Sequence, residues 1–134
     1  CLKSFYVNDK LKMFILMCAM PNWWASDYNA LYYKVKATTT LDCITDTEVL
    51  SLSNDDLEKL CNEIHELEHF FRWRTCRGYI AAHKRLLSFM NKDAKGRYEE
   101  LMKTYPELYN LVPKQLIAAY LGVSRETLSR LNYK

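Results

Sequence analysis

A long proline-free stretch constrains this fold more than any other feature of the sequence. Residues 54–90 contain no proline and few β-branched residues. Within them, large and mostly apolar side chains recur at alternating steps of three and four, the spacing of a heptad seam on a helix. A helix over residues 65–90 would be about 39 Å long. The seam residues are Trp73, Cys76, Ile80, His83, Leu87 and Met90.

A helix of that length cannot bury all its faces in a chain of 134 residues. Pairing with a second copy of the chain is the simplest way to cover the seam. Gly78 lies in the middle of the helix, where it costs about 1 kcal/mol relative to alanine, and close approach of a partner helix would justify it. The alternative is that the helix packs wholly on a β unit of its own chain.

Two capping patterns mark where this helical region starts and stops. Ser53, with Asp56 three residues later, is a typical helix start. The sequence Asn-Lys-Asp-Ala at 91–94 breaks the helix and offers Asp93 as the N-cap of the next one.

Strand-type sequence dominates the first third of the chain. Residues 2–7 and 11–20 are predicted strands, separated by a turn-forming Asn-Asp-Lys sequence. The β-branched residues at 36–44 and the alternating pattern at 47–52 predict two more strands. Residues 23–35 are dense in aromatics and predict either a short helix or a packed loop. We therefore expect an antiparallel β unit here.

The last forty residues predict a helix at 95–106 and then two helices, at 113–121 and 125–131, joined by a tight turn. Gly122 falls where the chain must reverse, and Ser124 is a good N-cap. The residues expected to point inward are apolar, and they are Ile117, Ala118, Leu121, Val123, Leu128 and Leu131. This pattern is typical of a helix-turn-helix, whose second helix enters the DNA major groove. The alternative is a generic helical pair.

The side chains left facing outward on the second helix suit DNA. They are Arg125, Glu126, Ser129 and Arg130. Arginine can donate two hydrogen bonds to guanine, and glutamate can accept from the cytosine amine. The distribution of charge agrees with this interpretation. Residues 1–94 hold 12 basic and 12 acidic residues, so their charges cancel. Residues 95–134 hold 7 basic and 4 acidic residues and therefore carry the entire net charge of +3. An anionic partner is therefore expected for the C-terminal part.

The sequence IAAYLGVSRETLSRL, residues 117–131, closely resembles the helix-turn-helix of the Crp–Fnr family of bacterial transcription regulators. The sequence before it, residues 96–113, resembles the helix and linker that precede the motif in that family. The helix at 65–90 resembles the family's dimerisation helix, and residues 1–52 resemble the back half of its cyclic-nucleotide-binding β-roll.

The resemblance implies an α+β fold in three parts. These are a partial antiparallel β-roll (1–52), a helical linker with the dimerisation helix (53–92), and a winged-helix-type DNA-binding domain (93–134). The sequence has neither the first strands of the roll nor the wing, and we expect that the chain belongs to a longer protein.

In function, the resemblance implies a cytoplasmic, homodimeric, sequence-specific regulator of transcription that is not an enzyme and needs no cofactor. Its expected partners are double-stranded DNA with a palindromic operator, a second copy of itself, RNA polymerase and a small-molecule effector. The outward residues named above would read bases in a TGA-type half-site. The residues expected near the DNA backbone or groove are Lys114, Gln115, Ser124 and Thr127.

Cyclic AMP is not the expected effector. Family members that bind it carry a Gly-Glu pair and a downstream arginine that grips the phosphate, and neither is present in residues 22–40. Lys34 or Lys36 could attract an anion, but lysine does not replace the forked guanidinium. The aromatic residues of this region, Trp23, Trp24, Tyr28, Tyr32 and Tyr33, are expected to be core rather than a ligand-binding site.

The sequence His-Glu-Leu-Glu-His at 65–69 matches the helical zinc pattern of metallopeptidases. A catalytic zinc needs a third protein ligand, and the only other histidine, His83, lies about 21 Å from His69 along the same helix. We therefore expect no metal site. A zinc peptidase and a dimerisation adaptor that does not bind DNA remain the alternative functions.

The five cysteines form no C-x-x-C pair, and the odd count favours free thiols in a reducing compartment. The apolar run at 13–20 is too short to span a membrane and is preceded by no secretory signal, so we expect no membrane partner.

Overall fold

A computed structural model describes residues 1–131; residues 132–134, the end of the predicted DNA-binding domain, lie outside the described part. The described chain is a mixture of α and β structure, which confirms the predicted α+β class. The three strands are β1 (Leu2–Val7), β2 (Met13–Ala19) and β3 (Thr40–Cys43). The helices are α1 (Tyr28–Tyr33), α2 (Asn54–Glu63), α3 (His65–Asn91), α4 (Ala94–Thr104), α5 (Leu108–Leu111), α6 (Lys114–Leu121) and α7 (Arg125–Leu131).

The strands form one antiparallel sheet in the order β2-β1-β3. Leu2 pairs with Ala19 on one side and with Cys43 on the other, and a bulge interrupts the β1–β2 register between Ser4 and Phe5. The β1–β2 turn is built around Asn8, whose side-chain oxygen accepts the backbone N–H groups of residues 10 and 12 at 3.1 and 2.9 Å. The two N-terminal strands predicted from sequence are confirmed.

The prediction of strands at 36–44 and 47–52 is wrong in part. Only Thr40–Cys43 is a strand, and residues 47–52 are irregular. Asp27 explains the late start of β3, because its carboxylate accepts the backbone N–H groups of Thr38 and Thr39 at 2.9 and 3.0 Å. The apolar residues at 47–52 alternate without a sheet to cover them, and Leu50 is 99% exposed.

The chain divides into two compact units, residues 1–48 with 93–131, and residues 49–92. In the first unit, Ile15 and Cys18 of β2 share one buried cluster with apolar residues of the C-terminal helices. These partners are Leu101, Leu108, Val112, Ile117, Ala118, Leu121 and Leu128. Residues 1–48 therefore pack with the C-terminal helices, while the predicted domain boundaries at 52 and 92 stay a prediction.

The second unit pairs α2 with α3. Ser53 caps α2 by accepting the backbone N–H of Asp56 at 3.1 Å. The two helices are separated at Ile64, whose extended backbone (φ −128°, ψ 99°) ends α2 and starts α3. The helix predicted at 65–90 is thus confirmed as His65–Asn91. Among the described residues, no helix combines the length and the apolar character that crossing a membrane requires.

Candidate nucleic-acid interface

The helices α6 and α7 meet at a three-residue turn, and we call residues 113–131 the helical corner. Gly122 ends α6 in the left-handed conformation (φ 69°, ψ 30°), as predicted. Its N–H and that of Val123 donate to the carbonyls of Ala119 and Ala118 at 3.3 and 3.0 Å. Ser124 then accepts the N–H of Thr127 at 3.1 Å and caps α7. The turn therefore satisfies backbone groups at the end of one helix and the start of the next.

Apolar side chains from both helices are buried inside the helical corner. Ile117 and Leu128, one from each helix, are 2% and 1% exposed. Ala118 and Leu121 are also buried, whereas Val123 and Leu131 are half-buried. The predicted inward face is confirmed, because every one of its members is at least partly removed from water. Such packing holds α7 in one orientation.

The four residues predicted to read bases are all exposed on α7. They are Arg125, Glu126, Ser129 and Arg130. Positions 125, 126, 129 and 130 are one, three, four or five apart, so they occupy adjacent parts of one helical surface. The structure therefore presents both arginines and the carboxylate to solvent, and the DNA-contacting role stays a prediction.

Hydroxyl groups orient the charged residues of α7. A terminal nitrogen of the Arg130 guanidinium donates to the Thr127 hydroxyl at 3.4 Å, and that hydroxyl lies 3.2 Å from the Ser124 hydroxyl. The pKa of the Glu126 carboxyl lies below its ordinary value because its own backbone N–H and the Ser124 hydroxyl donate to it, with Arg125 and Arg130 adding positive charge nearby. Glu126 is thus held as an anion, which can only accept hydrogen bonds.

The residues predicted to contact the DNA backbone lie at the starts of the two corner helices. Lys114 and Gln115 open α6 and are exposed, and Pro113 precedes them rather than occupying the first helical position. The Lys114 ammonium lies 5.7 Å from the ring centre of Tyr109. Ser124 is exposed and Thr127 half-buried, and both are engaged in the cap of α7.

Sequence reasoning missed the residue that ties α4 to the helical corner. The Nε of Arg97 donates to the carbonyl oxygen of Leu121 at 3.1 Å. That carbonyl belongs to the last turn of α6, where no following helical N–H is available to it. A bond between residues 24 apart has no local sequence signal, so only the folded chain reveals it.

All six seam residues of α3 are exposed within this chain. They are Trp73, Cys76, Ile80, His83, Leu87 and Met90. A methyl group added at Gly78 would meet no atom within 4 Å. Helix α3 therefore carries an accessible apolar seam, whereas Gly78 lies about 200° around the helix from Ile80. The dimer itself stays a prediction.

The His-Glu-Leu-Glu-His segment forms the first turns of α3, and both histidines are exposed. Arg72 engages this segment, because its guanidinium lies 3.4 Å from the Glu68 carboxylate and 3.2 Å from Nδ1 of His69. Within residues 1–131, no three histidine, cysteine, aspartate or glutamate side chains are grouped so as to hold a metal ion.

The expectation that the aromatic residues of 23–35 form core is wrong. Trp23, Trp24, Tyr28 and Tyr32 are between 41% and 50% exposed, and Tyr33 is 77% exposed. The short helix α1 that carries the three tyrosines buries none of its residues, so its rings pack on each other instead. Tyr28 and Tyr32 stack at 6.2 Å, and Trp23 meets Tyr105 edge to face at 5.5 Å.

The two lysines considered as anion ligands, Lys34 and Lys36, are exposed. Lys34 ends α1 in the left-handed conformation (φ 53°). The strongest local network is instead centred on Asp27, whose carboxylate accepts N–H groups from Ala30, Thr38 and Thr39. These bonds hold the pKa of Asp27 well below its usual range. The negative charge of Asp27 would repel a second anion at this position.

Comparisons with known proteins do not assign the chain to a class. No protein-family model matches it, and no curated protein matches it. The features of the chain that bear on its function are the helical corner, helix α3 and the resemblance carried by residues 117–131.

Proposed function

We propose that this chain is a sequence-specific DNA-binding transcription regulator of the Crp–Fnr type that acts as a homodimer. The observation that carries the proposal is the helical corner, in which a left-handed glycine and a serine cap join two short helices around Ile117 and Leu128. The corner leaves Arg125, Glu126, Ser129 and Arg130 exposed together on α7. Base readout requires this combination of a rigid support and exposed polar side chains.

The charges of the exposed residues support DNA rather than protein as the partner. Arginine forms two hydrogen bonds with the O6 and N7 atoms of guanine, and an ionised glutamate accepts from the N4 amine of cytosine. A glutamate is ionised at neutral pH, and the pKa of Glu126 lies below its ordinary value because its own backbone N–H and the Ser124 hydroxyl donate to the carboxylate. Lys114 and Gln115 at the start of α6 supply the phosphate contacts, which position the corner without reading sequence.

The exposed seam of α3 supports a two-fold dimer. Trp73, Ile80 and Leu87 are spaced seven residues apart and remain accessible. Burying them against a second copy removes a large apolar surface from water, and a two-fold axis makes the seam its own partner. Two copies of α7 would then engage half-sites about 34 Å apart, one turn of DNA.

The effector of this regulator is a small molecule other than cyclic AMP. Residues 22–40 supply no arginine, and Asp27 adds a negative charge to the segment. Titration calorimetry of the full chain with cyclic AMP is expected to give no heat of binding at micromolar concentrations. Micromolar affinity would contradict this part of the proposal.

Selection of bound sequences from random DNA duplexes tests the function. The expected result is enrichment of a two-fold symmetric site whose half-sites are one helical turn apart. Binding of all duplexes with equal affinity, or of none in the presence of random competitor DNA, would contradict the proposal. In the second case the accessible α3 seam would favour the alternative function of a dimerisation adaptor.

A further inference from the structure

A cleft of about 520 Å³ lies beside the helical corner, within the unit that contains α4 to α7. Pockets that bind small molecules occupy roughly 300–1,000 Å³, so this volume is sufficient for one. The lining comes from the helices α4, α5, α6 and α7. It includes Tyr98, Met102, Tyr109, Asn110, Lys114 and Ser129.

The lining combines aromatic rings with a single positive charge. Tyr98 and Tyr109 provide two phenol rings, and the Lys114 ammonium lies 5.7 Å from the centre of the Tyr109 ring. Burial and the neighbouring Tyr109 raise the pKa of the Tyr98 phenol, while Lys114 acts in the opposite direction, so the three groups share one electrostatic environment. Of the described residues that line the cleft, none carries a carboxylate.

We propose that this cleft binds a small aromatic carboxylate. The ring of such a ligand would pack against Tyr98, Tyr109 and the apolar side chain of Met102. Its carboxylate would pair with Lys114, and the amide of Asn110 and the hydroxyl of Ser129 offer further hydrogen-bond donors. A ligand cation is disfavoured because Lys114 would repel it.

The cleft lies at the surface that is expected to contact DNA, so a ligand bound there would regulate DNA binding. This inference rests on the proposed function. Lys114 is expected to contact the DNA backbone and Ser129 to contact bases, and both line the cleft. A bound carboxylate would neutralise Lys114 and occupy the space beside Ser129. Ligand and DNA would then compete for one surface, so the ligand acts as an anti-effector.

The first experiment measures ligand binding without DNA, by titration calorimetry of the full chain. The probe is β-naphthoate, and the matched neutral control is β-naphthamide, which has the same ring system and no charge. The expected result is that the carboxylate binds at least about tenfold more tightly than the amide, because a hydrogen bond to a charged partner is worth that much. Equal affinities would overturn the proposal, since they indicate adsorption to exposed apolar surface.

Variants then test whether the probe occupies this cleft. Lys114→Gln removes the charge of an exposed side chain and keeps a polar end, and it should weaken naphthoate binding about tenfold without changing naphthamide binding. Asn110→Trp fills the cleft from α5 and should abolish binding of both. Lys103→Gln removes a lysine from α4 that does not line the cleft and serves as the control. Naphthoate binding that survives both cleft variants would overturn the proposal.

The second experiment adds DNA at a fixed concentration of protein. Naphthoate at ten times its dissociation constant should weaken DNA binding about elevenfold if the two compete. Naphthoate binding in the cleft with unchanged DNA affinity would overturn the regulatory overlap. A chain that binds naphthoate as expected but binds no DNA would contradict the proposed function while leaving the ligand site established, so the two failures are distinguishable.

Discussion

Arg97 of α4 and Leu121 at the end of α6 are joined by a 3.1 Å hydrogen bond from the guanidinium Nε to the main-chain carbonyl. The carbonyl lies one residue before Gly122, where α6 ends and the turn to α7 begins. Arg97 is half-buried on α4. The end of α6, where the turn to α7 begins, is therefore bonded to a side chain outside the two helices that form the corner.

Replacing Arg97 with methionine should loosen the helical corner. The substitution keeps an unbranched apolar stem and removes the donor to Leu121, which leaves a carbonyl of the last α6 turn without this partner. We expect a loss of about 1 kcal/mol of unfolding free energy and weaker binding to all DNA sequences alike. Chemical denaturation and DNA titration measure the two effects.

Lys103→Met is the matched control for Arg97→Met. It removes a basic side chain from the last turn of the same helix, where Lys103 is exposed. Its stability should remain within about 0.5 kcal/mol of the wild type. If the two variants are equally stable, the Arg97–Leu121 bond does not hold the corner.

The left-handed backbone at Gly122 (φ 69°) gives a second prediction. Gly122→Ala should destabilise the chain by about 1–2 kcal/mol, because a Cβ is strained in this conformation. Gly78→Ala is the opposite case, since Gly78 lies inside α3 with open space around it and alanine is the better helix former. There we expect a gain of about 0.5–1 kcal/mol.

Denaturant unfolding of both glycine variants measures whether each substitution lowers or raises the free energy of unfolding. A stabilising effect of Gly122→Ala would show that the turn does not need the left-handed conformation. Gly78 lies about 200° around α3 from Ile80, so Gly78→Ala should leave pairing through the seam unchanged.

Helices and caps could be predicted from the sequence because their signals are local. Ser53, Asp93 and Gly122 each act within four residues of themselves, and each is observed in its predicted role. The spacing of the seam residues along α3 is likewise a local signal, because it depends only on the helical repeat. The inward face of the corner could also be predicted, because helical spacing alone places Ile117 and Leu128 on the buried side of their helices.

Features that depend on distant residues could not be predicted. The start of β3 is set by Asp27, which takes the N–H groups of residues 38 and 39 from a different part of the chain. Trp23 and Tyr33 look like core residues by composition, yet the fold leaves them exposed. Arg97 was visible as a basic residue, but its bond to Leu121 requires α4 and α6 to be in place.

The proposed dimer predicts opposite outcomes for two glutamate substitutions on α3. Ile80→Glu places a charge in the seam and should convert the dimer to a monomer, because an unpaired charge would be buried. Ala82 lies two residues on, about 200° around the helix from Ile80, and Ala82→Glu should leave the dimer intact. Sedimentation equilibrium measures both. Equal behaviour of the two variants would place the dimer contact elsewhere.

The dependence of dimer affinity on salt concentration gives an independent test of the proposed dimer. The part of α3 that carries the seam, residues 73–90, contains four lysines and arginines and no carboxylate, so pairing this part of two copies brings like charges together. Added salt screens this repulsion and should tighten the dimer. DNA binding should weaken with salt, because counterions are released from the phosphates. A dimer that dissociates as salt rises would contradict seam pairing.

Asp27 predicts a pH dependence of stability. Its pKa in the folded chain is lowered by the N–H groups of Ala30, Thr39 and Thr38. A depressed folded pKa stabilises the folded state above the unfolded value, about pH 4, and the benefit is lost as pH falls through and below that value. Asp27→Asn should therefore be less stable than the wild type at pH 7, with a difference that shrinks below about pH 4.

Denaturation between pH 3 and 7 measures the Asp27 effect, with Asp9→Asn as the control, since Asp9 is an exposed aspartate in the β1–β2 turn. A constant difference across the range would mean that the ionised Asp27 carboxylate is not the source of the stabilisation.

The affinity of the chain for DNA duplexes that differ at one base pair tests the central claim most directly. Arg130→Ala should cost about 1–3 kcal/mol on the preferred duplex and relax the preference at one base pair of each half-site. Lys114→Ala should weaken every duplex to the same extent and reduce the salt slope by about one. If neither substitution changes the affinity for any duplex, α7 does not read DNA and the account is contradicted.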